Sequence, residues 1–102
     1  MKIGAMNHPA RDPITEIHWI GEHGFDFVDF TLEPPAADPQ NLDPRAVVSA
    51  LAEHDLGVVA HTAWFIPVSS PLAGIRSATL TELRRCLAAA QAIGAPVMIS
   101  PS

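Results

Sequence analysis

The sequence holds a single cysteine, Cys86, among 102 residues, so no intrachain disulfide can form and the thiol content gives no sign of secretion. Basic residues are scarce too: six Lys and Arg stand against eleven Asp and Glu, a formal charge of −5. That balance argues against non-specific nucleic-acid binding, which needs a basic face to displace counterions. A small anionic ligand is not excluded, since a few local cations would hold one. No apolar run approaches the roughly 20 residues that span a bilayer. The opening "MKIGAMNHPARD" lacks the long apolar stretch of a signal peptide. Also missing are HExxH, a CxxC pair, a glycine-rich phosphate loop and a nucleophile elbow. Gly4, Gly21 and Gly24 do not have the spacing of a dinucleotide fingerprint. With those classes set aside, the expectation is a cytoplasmic α/β protein, one domain over residues 1–102, whose 48% hydrophobic content suffices for a packed core.

What is present is a regular alternation of elements. "KIGAMN" (2–7) reads as a first strand. Asp12-Pro13 then starts a helix, with the carboxylate as cap and proline at the first helical position. Ile14, Ile17 and Ile20 recur every three residues, and Gly24 stands where a left-handed cap belongs. "FDFVDFTLE" (25–33) is aromatic and β-branched, and reads as the second strand. Glu33 at its end precedes Pro34-Pro35, which favour an extended exit. Asp43-Pro44 starts a second helix striped by Val47, Val48, Ala50 and Leu51, and "LGVVAHTA" (56–63) forms the third strand. After the loop "WFIPVSSPLAGI", Thr79 and Glu82 have capping-box spacing ahead of Leu80, Leu83, Leu87, Ala90 and Ile93. Gly94 closes that third helix and "APVMISPS" (95–102) reads as a fourth strand.

The order β-α-β-α-β-α-β predicts a parallel sheet with right-handed crossovers, whose carboxyl-end loops carry binding and catalysis. Parity along the second strand refines this. Val28, Phe30 and Leu32 make one face apolar, while Asp29, Thr31 and Glu33 turn the other polar toward its carboxyl end. A doubly wound sheet, covered by helices on both faces, gives two apolar faces more readily. A barrel interior opening into a site fits better.

His61 ends the apolar run "GVVAHTAWF" on the face shared with Val59. It is either a polar strand end bonded to a neighbouring loop or a pocket residue. If Glu33 and Asn7 hold equivalent places on neighbouring strands, a histidine, a carboxylate and an amide converge at one mouth. Such groups suit metal ligation, proton transfer and hydroxyl binding. Asp29, deeper on the same face, needs a partner, and Lys2 is one option. His8 is expected in a surface loop. His18, His23 and His54 are expected on helix exteriors or at C-terminal carbonyls, and Cys86 reads as a core thiol rather than a nucleophile.

Taken together, "MKIGAMNHP", "GFDFVDFTLEPP", "LGVVAHTAW" and "LRRCLAAAQAIGAPVMISP" resemble the N-terminal half of the xylose isomerase-like TIM barrels. That superfamily joins sugar-phosphate isomerases and epimerases with apurinic-site endonucleases of the same fold. The resemblance implies an N-terminal half of a (β/α)8 barrel, four strands and three helices. It also implies a small sugar, sugar-phosphate or hydroxy-carbonyl substrate, isomerised or epimerised with a divalent metal (manganese, magnesium, cobalt or zinc) when the barrel is complete. His61, Glu33, Trp64 and Asn7 are then the expected substrate-binding residues, with Trp64 an apolar wall against a sugar face and loop 65–75 a partial lid. In the endonuclease branch His61 would be a metal ligand. Ser100-Pro101 stands where that branch often has His-Pro, and this departure joins the acidic charge in weakening the endonuclease reading. The metal ligands of the isomerase branch come from the second half of the barrel, so no metal is expected on this chain alone and no catalytic residue is assigned. Three readings stay open: a truncated sugar isomerase/epimerase-like chain, inactive by itself; a non-catalytic half-barrel module that binds ligand or forms homo-oligomers through its open sheet edges; and, least favoured, a metal-dependent apurinic-site endonuclease relative.

Overall fold

Two Asp-Pro pairs start the first two helices. In the computed structural model, which describes residues 1–101, Asp12 accepts a hydrogen bond from the Thr15 N–H at 2.9 Å and caps α1 (Pro13–Glu22). Asp43 accepts from the Arg45 and Ala46 N–H groups and caps α2 (Pro44–Glu53). Each proline stands where its missing N–H has no intrahelical partner to lose. Gly24, at φ 81°, takes the left-handed conformation that follows α1, whereas Asp55 at φ 52° does this after α2.

The strands are β1 (Gly4–Met6), β2 (Phe27–Leu32), β3 (Gly57–Thr62) and β4 (Met98–Ile99). They pair in parallel in the order β1-β2-β3-β4. Sequential order with right-handed crossovers puts every helix on the same side of the sheet, as in part of a (β/α)8 barrel. The fourth strand is shorter than the 95–102 expected. Pro96 and Pro101 flank it and cannot donate to a ladder, and Ser102 lies outside the described residues.

The core lies between sheet and helices. Val28, Phe30 and Leu32 of β2 and Ala60 of β3 are buried against Ile17 and Ile20 of α1 and Val47 and Leu51 of α2. This is the apolar face that strand parity predicts.

The third helix departs from expectation. α3 spans Ala73–Ala92, so the Thr79/Glu82 pair lies inside it rather than at its start. Thr79 is buried, and its hydroxyl donates to the Pro67 carbonyl at 3.4 Å. The buried face is Thr79, Cys86, Ala89 and Ala90, while Leu80 and Leu87 are 52% and 47% exposed. Small residues let this helix approach β3 closely, which turns the leucines away from the sheet. Among the described residues, no helix is long and apolar enough to cross a membrane.

Candidate functional site

The face of the sheet turned away from the helices carries Asp29 and Thr31 from β2 and His61 from β3. Parallel register sets Asp29 beside Val59 and Thr31 beside His61. Alternate residues share a face, so Asp29 is the diagonal neighbour of His61 one step toward the strand's start. The contact is direct: His61 Nδ1 lies 2.7 Å from Asp29 Oδ1, with both side chains partly exposed to the inward face. An ionised carboxylate only accepts, so Nδ1 carries the proton of this bond and Nε2 of the neutral ring is a lone pair. Thr31 Oγ1 lies 3.1 Å from that Nε2 and donates to it. The partner of Asp29 is therefore His61, not Lys2.

Thr31 is itself held from β1. Where the β1 ladder ends at Met6, the next residue extends it with a side chain. Asn7 Oδ1 accepts from the Thr31 N–H at 2.7 Å, and Asn7 Nδ2 donates to the Thr31 carbonyl at 3.4 Å. The amide thus mimics one more peptide of the strand. Asn7 is 1% exposed, so this amide faces backbone rather than an open mouth.

The residues singled out from sequence fall into two groups. Asn7 and His61 join one hydrogen-bonded chain through Thr31, a residue that sequence reasoning left out of the site. Trp64 stands 80% exposed just beyond β3 and meets Phe65 edge-on at 5.6 Å. It lines a cavity of about 370 Å³ with Met6, Asp29, His61 and Ile99. Glu33 is not on the rung of His61: Leu32 pairs with Thr62, which leaves Glu33 one residue past the last pair. The chain then turns instead of running extended, with the Ala37 N–H donating to the Glu33 carbonyl at 3.2 Å. Glu33 is half-buried.

A second cavity, of about 410 Å³, lies behind this face, between Leu32, Phe65, Pro67, Ile75 and Cys86. It is roomier, but the polar side chains that line it, Asp38, Thr79 and Glu82, make no hydrogen bonds to one another, so the inward face with its linked Asp29, His61 and Thr31 is the stronger candidate. Cys86 is buried there, and its thiol is pushed up by desolvation, then by the negative charges of Glu82 and Asp38.

As a metal centre the inward face is a poor fit. Asp29 and His61 are bonded to each other, and His61 Nε2 is taken by Thr31. Among the described residues no third histidine, cysteine or carboxylate joins them within ligand distance. The remaining histidines follow the sequence reading only in part. His23 Nδ1 contacts the Trp19 carbonyl at 2.7 Å, as expected of a helix end. His18 and His54 instead contact each other.

Residues 17–102 match the family model described as xylose isomerase-like TIM barrel. Among solved structures, the chain is similar to an N-terminally His-tagged D-allulose 3-epimerase from Methylomonas sp., at a TM-score of 0.75 and 18% identity. The match covers 98% of this chain and 36% of that one, so the chain spans well under half the length of this structural neighbour. At that identity the likeness is one of fold. No curated protein matches the chain.

Proposed function

Because the chain belongs to the xylose isomerase-like TIM barrel family, we propose that it forms the substrate-side wall of a site that isomerises or epimerises a small sugar or hydroxy-carbonyl compound when the barrel is complete. The observation that carries this reading is the Asp29–His61–Thr31 chain on the inward face, at the carboxyl ends of β2 and β3. Carboxyl ends of barrel strands are where such enzymes place their chemistry.

The local chemistry is that of an oriented imidazole. Asp29 fixes the tautomer and ring plane through Nδ1, and would stabilise the imidazolium if Nε2 took up a proton. A substrate hydroxyl can replace the Thr31 hydroxyl on Nε2, since the two offer the same O–H donor. Trp64 presents an apolar face to the sugar's C–H groups, and Glu33 at the exit of β2 serves as a further acceptor for hydroxyls. Asn7 works one step back, by holding the Thr31 backbone. A divalent metal, which the family resemblance implies, would polarise the substrate carbonyl. Its ligands would lie on other strands of the barrel, because Asp29 and His61 satisfy each other.

The edges of β1 and β4 that face away from β2 and β3 have no strand partner among the described residues, while Met6 and Ile99 are exposed beside them. Further strands would pair these edges and close the mouth over His61.

The test is His61→Ala and Asp29→Asn in a complete barrel carrying these strands. Loss of an oriented acid/base group costs about 10²–10⁴-fold, and loss of a hydroxyl acceptor alone about tenfold. A fall in kcat/KM of at least tenfold is expected for His61→Ala, and a smaller one for Asp29→Asn. Unchanged kinetics in both variants would refute the assignment.

A further inference from the structure

We propose a zinc-type divalent-cation site between α1 and α2, held by His18, Glu53 and His54. Each helix returns the chain to the start of the next strand, so helix C-termini lie at the amino ends of the strands. The cluster therefore sits at the end of the fold opposite His61. His18 Nδ1 is 2.8 Å from His54 Nε2 and 3.8 Å from Glu53 Oε2, and one ligand atom from each residue lies within 4.8 Å of the others.

These separations suit a tetrahedral ion. Ligands about 2.0–2.1 Å from zinc stand about 3.3–3.4 Å apart along a tetrahedron's edge. The two spacings from His18 Nδ1, 2.8 Å to His54 Nε2 and 3.8 Å to Glu53 Oε2, bracket that edge, and His54 and Glu53 offer ligand atoms within 4.8 Å of each other. In the metal-free pair one proton lies between the two ring nitrogens, and the ion takes its place. Two imidazoles and a carboxylate select zinc or a similar transition metal over calcium or magnesium, which take oxygen ligands. The fourth position stays open to water, because Glu53 and His18 are both solvent-accessible.

A second observation shows that the fold makes room for this pair. Gly21 lies inside α1, where glycine costs roughly 1 kcal/mol relative to alanine. A Cβ there would fall 2.2 Å from His54 Cγ and 2.6 Å from its Cβ. Glycine is thus what allows the His54 ring to lie on α1 and reach His18. The positive ion would also lie near the carbonyl-rich C-terminal end of α2, where cations are favoured.

The experiment is zinc titration of the chain by calorimetry, with cobalt absorption as a check on tetrahedral geometry. One equivalent of zinc is expected to bind. His18→Gln, His54→Gln and Glu53→Gln are each expected to weaken it by at least tenfold. Glu53 is exposed, so its variant keeps the test sound even if a histidine variant unfolds. Gly21→Ala is expected to weaken binding as well, without removing a ligand. Absence of saturable zinc binding, or undiminished binding in any folded ligand variant, overturns the three-residue site.

Discussion

Asn7→Ala tests whether the inward face is organised from β1. In the folded chain the Asn7 amide meets both backbone groups of Thr31, at 2.7 Å for the N–H and 3.4 Å for the carbonyl. Both residues are buried, at 1% and 4% exposure, so truncation leaves the Thr31 N–H without a partner. An orphaned buried donor costs about 1–3 kcal/mol, and the longer bond to the carbonyl adds little. A water entering the vacated space would move the result toward the lower end. The expected loss is about 2 kcal/mol. With a urea m-value of about 2 kcal/mol/M, the unfolding midpoint falls by about 1 M. Equilibrium unfolding followed by circular dichroism measures it. The route to His61 is tested by a double-mutant cycle with His61→Ala. If Asn7 acts through Thr31 on His61, the two effects depart from additivity by about 0.5 kcal/mol or more. A midpoint unchanged within about 0.2 M would show that the amide does not support the site. Strict additivity would confine Asn7 to a local role at the end of β1.

Two further changes probe the helix side of the sheet. Phe30 is fully buried at the centre of β2, and Phe30→Ala is expected to cost about 3–5 kcal/mol, seen as loss of cooperative urea unfolding; near-parental stability would refute its central place in the core. Cys86 predicts a pH dependence, because burial first, and then Glu82 and Asp38, raise its thiol above the ordinary value. The folded chain then holds this proton more tightly than the unfolded chain, so the contribution is complete below pH 9.0 and is lost as pH rises through the raised value. Stability is expected to decline above that pH in the parent and to decline less in Cys86→Ala, and parallel declines would refute the assignment.

What the sequence made legible was set by local rules. The Asp12-Pro13 and Asp43-Pro44 pairs mark both helix starts because cap and proline act within one turn. Alternation in β2 assigns Phe30 to the core and Asp29 to the opposite face because side-chain direction is fixed by the strand alone. Register is a different kind of fact. It depends on where two strands distant in sequence meet, and periodicity within either strand does not specify it. Hence Glu33 and His61, each a polar strand end, looked like neighbours, whereas the ladder sets Thr31 beside His61. Had the strands been aligned by their apolar faces, Val28 with Val58 and Phe30 with Ala60, the same reasoning would have put Thr31 beside His61 and Asp29 diagonal to it. The third helix failed for a related reason. Leu80 and Leu87 have helical spacing, but a helix reaching close to a sheet presents its small residues to it, and Cys86, Ala89 and Ala90 occupy that face. Gly21 carries the same lesson. A glycine inside a helix reads as a local cost, and its purpose becomes visible only when the His54 ring, from the next helix, lies where a Cβ would be. In this chain the residue types on the inward face were readable from sequence, and their pairings were decided by packing between distant segments.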